Sequence, residues 1–380
     1  MLIKDQTLIL YAFIAFVGIV TVYKSSETAT KGYGMSQFYQ HNTAHKIYAS
    51  TEYIPAATEQ TITDNFSKLA LDGTTNDNPG KACDMWKYES EGLDLLQPLH
   101  SYLNDLNKYK ELEQQFSVGI EDLRDAIRDA NGDSDSVCRK LRLHPDGLPG
   151  IFTSGQLSFT SSGFVEPLLP PMRHPGFCFD KDMLMDLGYI IHDYEAMCRK
   201  LKSHSKIILI DMGASTDFTA DRTKRTQAMD VWDQFGKYGF KFDHIYAFEL
   251  KPHDVSEVFE NISDQYFGAY HWINVGVSPD NGHVLNPLNS VLTKLKEDDL
   301  VMVKLDIDAP GIEIPFAMKL LESDQVGKVV DHFYFEHHVK MAELLPYWGI
   351  DDTMTIGSVK DSMELFQALR RKGIASHFWI

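Results

Sequence analysis

The chain has 380 residues, of which 43% are hydrophobic and 12% aromatic, a composition that can bury a sizeable core and differs from that of disordered proteins. Its 54 acidic and 36 basic side chains give a net charge of −18. This charge argues against nucleic acids and anionic membrane surfaces as binding partners, and the length fits one large or two modest domains.

The first element is an uncharged apolar segment, residues 7–23 (TLILYAFIAFVGIVTVY). A helix of this length reaches ~26 Å, which is enough to span a thin bilayer. A cleaved signal peptide is the rival interpretation, but Tyr23, Lys24 and the SSET that follows form a weak cleavage site. We therefore expect residues 1–24 to be a signal anchor that attaches a single-pass protein to the membrane.

Two regions lie between this segment and the carboxyl-terminal half of the chain. Residues 25–90 are rich in Thr, Ser, Asn and Gly and predict a stem or linker. Residues 91–200 predict a helical and irregular region, with helical patterns over 93–130 and 182–202 and many Pro, Gly and Ser residues over 144–178.

Glycosylation sequons and cysteines favour a luminal location for the main domain. Sequons begin at Asn65 and Asn261, and the four cysteines form an even set whose pairing the sequence leaves open. We expect the endoplasmic reticulum or Golgi, with the carboxyl-terminal domain in the lumen.

Residues 201–380 alternate between apolar runs and helical patterns. The runs, which predict strands, are KIILIDMGAS (206–215), FDHIYAFEL (242–250), HWINVGVS (271–278), DLVMVKLDID (299–308), VDHFYFEHH (330–338) and IASHFWI (374–380). This alternation predicts an α/β domain with a mostly parallel sheet, and ligands of such sheets bind beyond the carboxyl ends of the strands.

Two of these strand ends carry features of a nucleoside site. The first run ends in Asp211-Met212-Gly213-Ala214-Ser215, where a glycine lets the backbone approach a ligand. The second ends in Glu249, a carboxylate positioned to accept hydrogen bonds from both hydroxyls of a ribose.

The motifs DMGASTD, YAFELKP and KLDIDAPGIE resemble those of the FkbM-type branch of S-adenosylmethionine-dependent methyltransferases, and the resemblance extends over residues 206–379. It implies a Rossmann-like class I methyltransferase fold and transfer of a methyl group to an oxygen of a sugar or other small hydroxylated acceptor. By the same resemblance, S-adenosylmethionine is the cofactor, and the residues that bind it are Asp211, Gly213, Ser215 and Glu249.

The sequence departs from the family pattern at several positions. Ser215 stands where the family has Asn, and Asp217 where it has a second Gly. Ala309-Pro310 interrupts the fourth-strand motif, in which Asp308 replaces Glu. Six strands are predicted, whereas the family's sheet usually ends with a seventh, antiparallel strand, which is either missing here or supplied by an amino-terminal segment.

Ionisable residues cluster at the ends of the fourth and fifth runs. Strand alternation sends His337 to one face and Glu336 and His338 to the other. The candidate catalytic residues, one of which would take a proton from the acceptor hydroxyl, are Asp306, Asp308, His337 and His338. A divalent metal on Asp306, Asp308 and Glu336 is a further possibility, and a purely structural role of the histidines as caps of the sheet is another.

Two alternative functions remain open from the sequence. Asp306-Ile307-Asp308 matches the D-x-D of a glycosyltransferase that binds a metal and a nucleotide sugar. The second alternative is a protein that has the methyltransferase fold but no catalytic activity, because the glycine pattern of the first motif is incomplete.

Overall fold

The computed structural model describes the chain over residues 52–72, 81–87, 94–143, 153–156, 163–215, 227–260, 262–349 and 355–380. The predicted membrane segment 7–23, Asp217 and Asn261 lie outside these ranges. Within them, no helix combines the length and the apolar character needed to cross a bilayer.

The strands of the described residues form two sheets. They are β1 (Glu52–Ile54), β2 (Thr153–Gln156), β3 (Phe164–Val165), β4 (Ile207–Met212), β5 (His244–Phe248), β6 (Tyr270–Ile273), β7 (Leu300–Leu305), β8 (His332–Phe335) and β9 (Ala375–Phe378). The first three form a small antiparallel sheet. The other six form a large sheet in the order β6-β5-β4-β7-β8-β9, with every neighbouring pair parallel.

The large sheet confirms the predicted mostly parallel α/β domain, and each of the six predicted runs supplies one of its strands. Every residue of β4 and of β7 is buried, as expected for central strands that are covered on both faces. The chain fills one half of the sheet with β5 and β6 and then crosses to β7, so the switch point lies between β4 and β7.

Helices connect and cover these strands. They are α1 (Ala57–Asp64), α2 (Asp84–Lys87), α3 (Leu96–Gln115), α4 (Leu123–Asp129), α5 (Ser134–Cys138), α6 (Tyr194–Lys200), α7 (Gln227–Lys237), α8 (Val255–Glu260), α9 (Asp264–Phe267), α10 (Pro287–Ser290), α11 (Pro310–Glu322), α12 (Asp324–Gly327), α13 (Leu345–Trp348) and α14 (Val359–Arg371). Short 3-10 helices span Arg139–Leu141, Pro175–Cys178, Lys181–Met185 and Leu292–Lys294.

The predicted helix over 182–202 is much shorter in the structure. Asp186 forms a turn by accepting a hydrogen bond from Gly188 N at 2.6 Å, and residues 189–193 continue without helical structure. The helix α6 begins only at Tyr194, because the Asp193 carboxylate caps its first turn by accepting from Ala196 N at 3.0 Å.

Part of the predicted stem packs against the carboxyl-terminal domain. Glu59 of α1 is fully buried and accepts a hydrogen bond from Gln367 Nε2 of α14 at 3.0 Å. Arg370 of the same helix donates to Tyr53 Oη at 3.3 Å and pairs with Glu166 at 3.1 Å. The amino-terminal residues from 52 onward therefore share a core with the last helix of the chain.

All four cysteines are paired. One disulfide joins Cys83, next to α2, to Cys178, and the other joins Cys138 of α5 to Cys198 of α6. Both bonds lie in the region before the large sheet, so they link the pieces of the polypeptide that cover it.

Candidate functional site

The ends of β4, β5 and β7 meet at the switch point. The amides of Gly213 and Ala214 donate to the Phe248 carbonyl at 2.9 and 3.0 Å, and Asp306 N donates to the Met212 carbonyl at 3.0 Å. Gly213 has a φ of +86°, and a Cβ at this position would lie 1.6 Å from the Asp306 carbonyl oxygen. The glycine predicted to admit a ligand is thus required already by the approach of β7.

A buried lysine connects these strand ends. Lys304 Nζ donates to the Gly213 carbonyl at 2.8 Å and lies 3.2 Å from one carboxylate oxygen each of Asp211 and Asp306. Burial lowers the pKa of Lys304, but the two carboxylates outweigh burial and raise it overall. The lysine therefore stays protonated and holds both carboxylates in place.

Asp306 is the predicted catalytic residue that contacts this lysine. Burial raises the pKa of Asp306, Lys304 opposes this, and Glu336 reinforces it, which brings the pKa to about 7. A carboxyl group that titrates near neutral pH can take up and release a proton at the operating pH of most enzymes.

Glu336 anchors a second part of the cluster. Arg173, which is also buried, donates to Glu336 Oε1 and to the Trp379 carbonyl, and Trp348 Nε1 donates to the same Glu336 oxygen at 2.9 Å. Burial raises the pKa of Glu336, but His338 and Arg173 outweigh burial and hold the pKa below its usual range. Glu336 is therefore an anion with fixed partners.

His338 stands among three carboxylates. Its Nε2 is 3.3 Å from Glu336 Oε2 and 3.7 Å from Asp308 Oδ1, and its Nδ1 is 3.6 Å from Glu313 Oε2. Burial lowers the pKa of His338, but the neighbouring carboxylates of Glu313 and Glu336 outweigh burial and raise the pKa to about 10. The cluster therefore attracts a positive charge to this point.

Asp308, Glu336 and His338 form a group that can hold a metal ion. One ligand atom from each lies within 4.8 Å of the others, and two carboxylate oxygens with one imidazole nitrogen suit a divalent cation. Neither ring nitrogen of the buried His338 has a well-aligned hydrogen-bond partner, which fits a side chain that could bind such an ion. Asp308, with a 72% exposed side chain and a φ of +53°, faces solvent. Asp306, predicted as a third metal ligand, pairs with Lys304 instead and lies outside this group.

The structure does not bring His337 into the cluster. Its Nδ1 lies 3.0 Å from Ser362 Oγ and its Nε2 lies 3.0 Å from the Ile356 carbonyl oxygen, on the opposite face from Glu336. Burial lowers the pKa of His337 to about 3, so the ring is neutral. Both nitrogens are engaged with a helix and a loop, which is the structural role considered above for these histidines.

The remaining predicted cofactor residues lie at the same edge of the sheet. Glu249 follows β5 and is half-buried. Its Oε1 accepts a hydrogen bond from Lys251 N. Ser215 is exposed, and the loop that follows it, 216–226, lies outside the described residues.

Arg173 is not among the residues predicted from the sequence, and Glu313 appears there only as the last residue of the motif KLDIDAPGIE. Arg173 comes from the irregular segment before the sheet, where neither periodicity nor spacing indicates a buried side chain. Glu313 lies in the first turn of α11, accepts from Ile307 N at 2.9 Å and so shapes the loop that carries Asp306 and Asp308. The signal that could have revealed Arg173 is the excess of carboxylates at the strand ends, which needs a cation from elsewhere in the chain.

Comparisons with protein-family models, with curated proteins and with solved structures give no match for this chain.

Proposed function

We propose that the carboxyl-terminal α/β domain is a Rossmann-like class I methyltransferase that transfers a methyl group from S-adenosylmethionine to a hydroxyl oxygen of a sugar or other small acceptor. The observation that carries the proposal is the meeting of Gly213, the strand that leads to Glu249, and Asp306 at the switch point of the sheet. Open α/β sheets bind their ligands at this point.

The residues have distinct parts in this proposal. S-adenosylmethionine supplies an already activated methyl group when bound, so the protein has to align the acceptor and remove a proton. Glu249 accepts hydrogen bonds from the ribose hydroxyls. Asp306, with a pKa of about 7, takes the proton of the acceptor hydroxyl, and Lys304 fixes the orientation of that carboxylate.

A divalent cation fits the same site. Asp308, Glu336 and His338 would hold the ion, which would displace the proton of His338 and supply a positive charge that lowers the pKa of a hydroxyl bound beside it. His337 has no part in the chemistry, because both of its ring nitrogens are already bonded.

The proposed location is the lumen of the secretory pathway, with the membrane attachment made by the apolar segment 7–23. Two disulfides that use every cysteine of the chain support an oxidising compartment. The acceptor in that setting is a glycan or a small hydroxylated compound.

The last strand of the large sheet differs from the pattern of the family. β9 lies beside β8 and is parallel to it, and β1 to β3 form a sheet of their own, so the described residues supply no antiparallel strand at this edge. The resulting order is also that of dinucleotide-binding sheets. However, residues 211–217 (DMGASTD) lack the G-x-G-x-x-G of those proteins, so methyl transfer remains the better proposal.

The glycosyltransferase remains a second candidate because Asp308 belongs to a metal-binding group. Against it, Asp306 contacts Lys304 whereas Asp308 lies 3.7 Å from His338, so the two aspartates of the D-x-D do not share one cation in this arrangement.

The test is calorimetric titration of the purified full chain with S-adenosylmethionine, NAD⁺, and UDP-sugars with Mn²⁺. We expect S-adenosylmethionine to bind and Glu249→Ala to weaken it about 10-fold or more, since hydrogen bonds to a charged group contribute about 1.5–3 kcal/mol. Glu260→Ala, an exposed acid on α8, is the matched control and should bind as the wild type does. Binding of NAD⁺ or of UDP-sugar alone, or of none of the ligands, would contradict the proposal.

A further inference from the structure

Three histidines form a second cluster, away from the strand ends. His332 begins β8, His377 lies on β9 directly opposite Tyr334, and His192 comes from the segment before α6. All three side chains are buried, and one ring nitrogen from each lies within 4.8 Å of the others. The proposed methyl transfer uses none of them.

Hydrogen bonds within the protein do not pair every ring nitrogen of this cluster. His377 Nδ1 bonds the Glu166 carboxylate at 2.9 Å, and His377 Nε2 lies 3.2 Å from His332 Nδ1. The other nitrogen of His332, Nε2, is buried without any hydrogen-bond partner. If His332 donates its Nδ1 hydrogen to His377, then its Nε2 lone pair is unmatched; in the other tautomer, two lone pairs face each other.

We propose that His192, His332 and His377 bind a divalent transition-metal ion of the Zn²⁺ class, with Glu166 as the carboxylate that orients His377. Imidazole nitrogens suit this class of ion, and a ligating histidine usually donates its other ring N–H to a carboxylate.

The dimensions of the cluster agree with a tetrahedral site. Metal–nitrogen bonds of about 2.0–2.1 Å put neighbouring ligand nitrogens about 3.4 Å apart and the ring centres about 5 Å apart. The nitrogens of His332 and His377 are separated by 3.2 Å. The three ring centroids form a nearly equilateral triangle with sides of 5.2, 5.5 and 5.5 Å.

The surroundings of the cluster also suit a metal ion. His192 and His332 are buried, and a neutral imidazole is the form that binds metals. Glu166 offsets part of the charge of the ion. The Tyr334 hydroxyl, 2.7 Å from His192 Nε2, lies next to the three nitrogens and would be the fourth donor.

The site has a structural role in this proposal. His332 and His377 belong to the large sheet, whereas His192 and Glu166 belong to the segment that covers its face. A metal ion here joins the covering segment to the sheet and is taken up during folding, because the residues around it are buried. The inference does not depend on the proposed methyl transfer.

The test is the metal content of the full chain, purified without an affinity tag or chelator and measured by inductively coupled plasma mass spectrometry. We expect about one zinc per chain that depends on these three histidines. His332→Gln and His377→Gln should lose it, and Glu166→Gln should weaken metal affinity about 10- to 100-fold. His338→Gln, which alters the other metal-binding group, is the matched control and should retain it.

A second measurement uses the wild-type chain, so it tests the proposal even if the variants fail to fold. Wild-type chain produced with Co²⁺ in place of zinc should show the intense visible absorption of a tetrahedral nitrogen-ligated site, and removal of the metal should lower the unfolding temperature. Wild-type protein that folds without stoichiometric metal and takes up neither Zn²⁺ nor Co²⁺ would overturn the proposal. So would zinc that is lost in His338→Gln and retained in His332→Gln.

Discussion

Replacing Gly213 by alanine tests whether the close approach of β7 is the reason that this position requires a glycine. At a φ of +86° an alanine costs about 1–2 kcal/mol. Its Cβ would also stand 1.6 Å from the Asp306 carbonyl oxygen, a backbone atom that can move only with β7. Overpacking of this kind adds about 1–3 kcal/mol, so Gly213→Ala should destabilise the protein by about 2–5 kcal/mol.

Gly132 provides the matched control. Its φ is +83°, but no heavy atom lies within 4 Å of an added Cβ, so Gly132→Ala should cost only the conformational term of about 1–2 kcal/mol. Urea unfolding with the disulfides intact, followed by far-ultraviolet circular dichroism, measures both variants. Equal destabilisation of the two would refute the reasoning. If Gly213→Ala were as stable as Gly132→Ala and had also lost S-adenosylmethionine, the glycine would be needed for the ligand instead.

Three further predictions concern stability. Replacing Cys83 and Cys178 together by serine should cost about 2–5 kcal/mol in the same unfolding assay, and full stability of that variant would show that the bond does not constrain the chain. Burial raises the pKa of Asp193 to about 6, so the stability that its protonated form contributes is complete below the unfolded value of 3.8 and is lost as the pH rises through 6. Asp193→Asn keeps the helix cap and does not titrate, so its stability relative to the wild type should rise by about 1–3 kcal/mol between pH 3.5 and pH 7.5. A difference that does not change with pH would contradict the shift. Arg370→Met should cost about 3–5 kcal/mol because it removes the buried cation that pairs with Glu166, while Arg128→Met, which breaks an exposed ion pair, should cost less than about 1 kcal/mol.

The large sheet could be predicted because its signals are local. Buried parallel strands are short continuous apolar runs, and helical periodicity between them implies the connections. Once the strands are parallel and neighbours, the residues after their carboxyl ends must share one edge. This geometry explains why Gly213 and Asp306 meet as expected, and why the alternation in residues 336–338 separates His337 from its two neighbours.

The remainder of the site depends on contacts between distant parts of the chain. Arg173 reaches Glu336 across 163 positions, and Glu59 reaches Gln367 across 308. The pairing of four cysteines has three solutions, and no spacing rule selects among them. The composition of residues 25–90 predicts a linker and gives no sign of the packed helix α1. This helix has little hydrophobic periodicity and is held in place by the buried carboxylate of Glu59 rather than by an apolar stripe.

The pattern of β8 explains why this chain needs a large covering region. Residues 332–338 (HFYFEHH) alternate, so one face carries His332, Tyr334, Glu336 and His338, all of them buried. A strand in the middle of a parallel sheet normally presents apolar side chains on both faces, and a buried polar side chain is costly unless it is paired. The partners come from before the sheet: His192 bonds Tyr334, and Arg173 pairs with Glu336. We infer that residues 163–193 and the sheet form one folding unit, in which the polar face of β8 is stable only when that segment covers it.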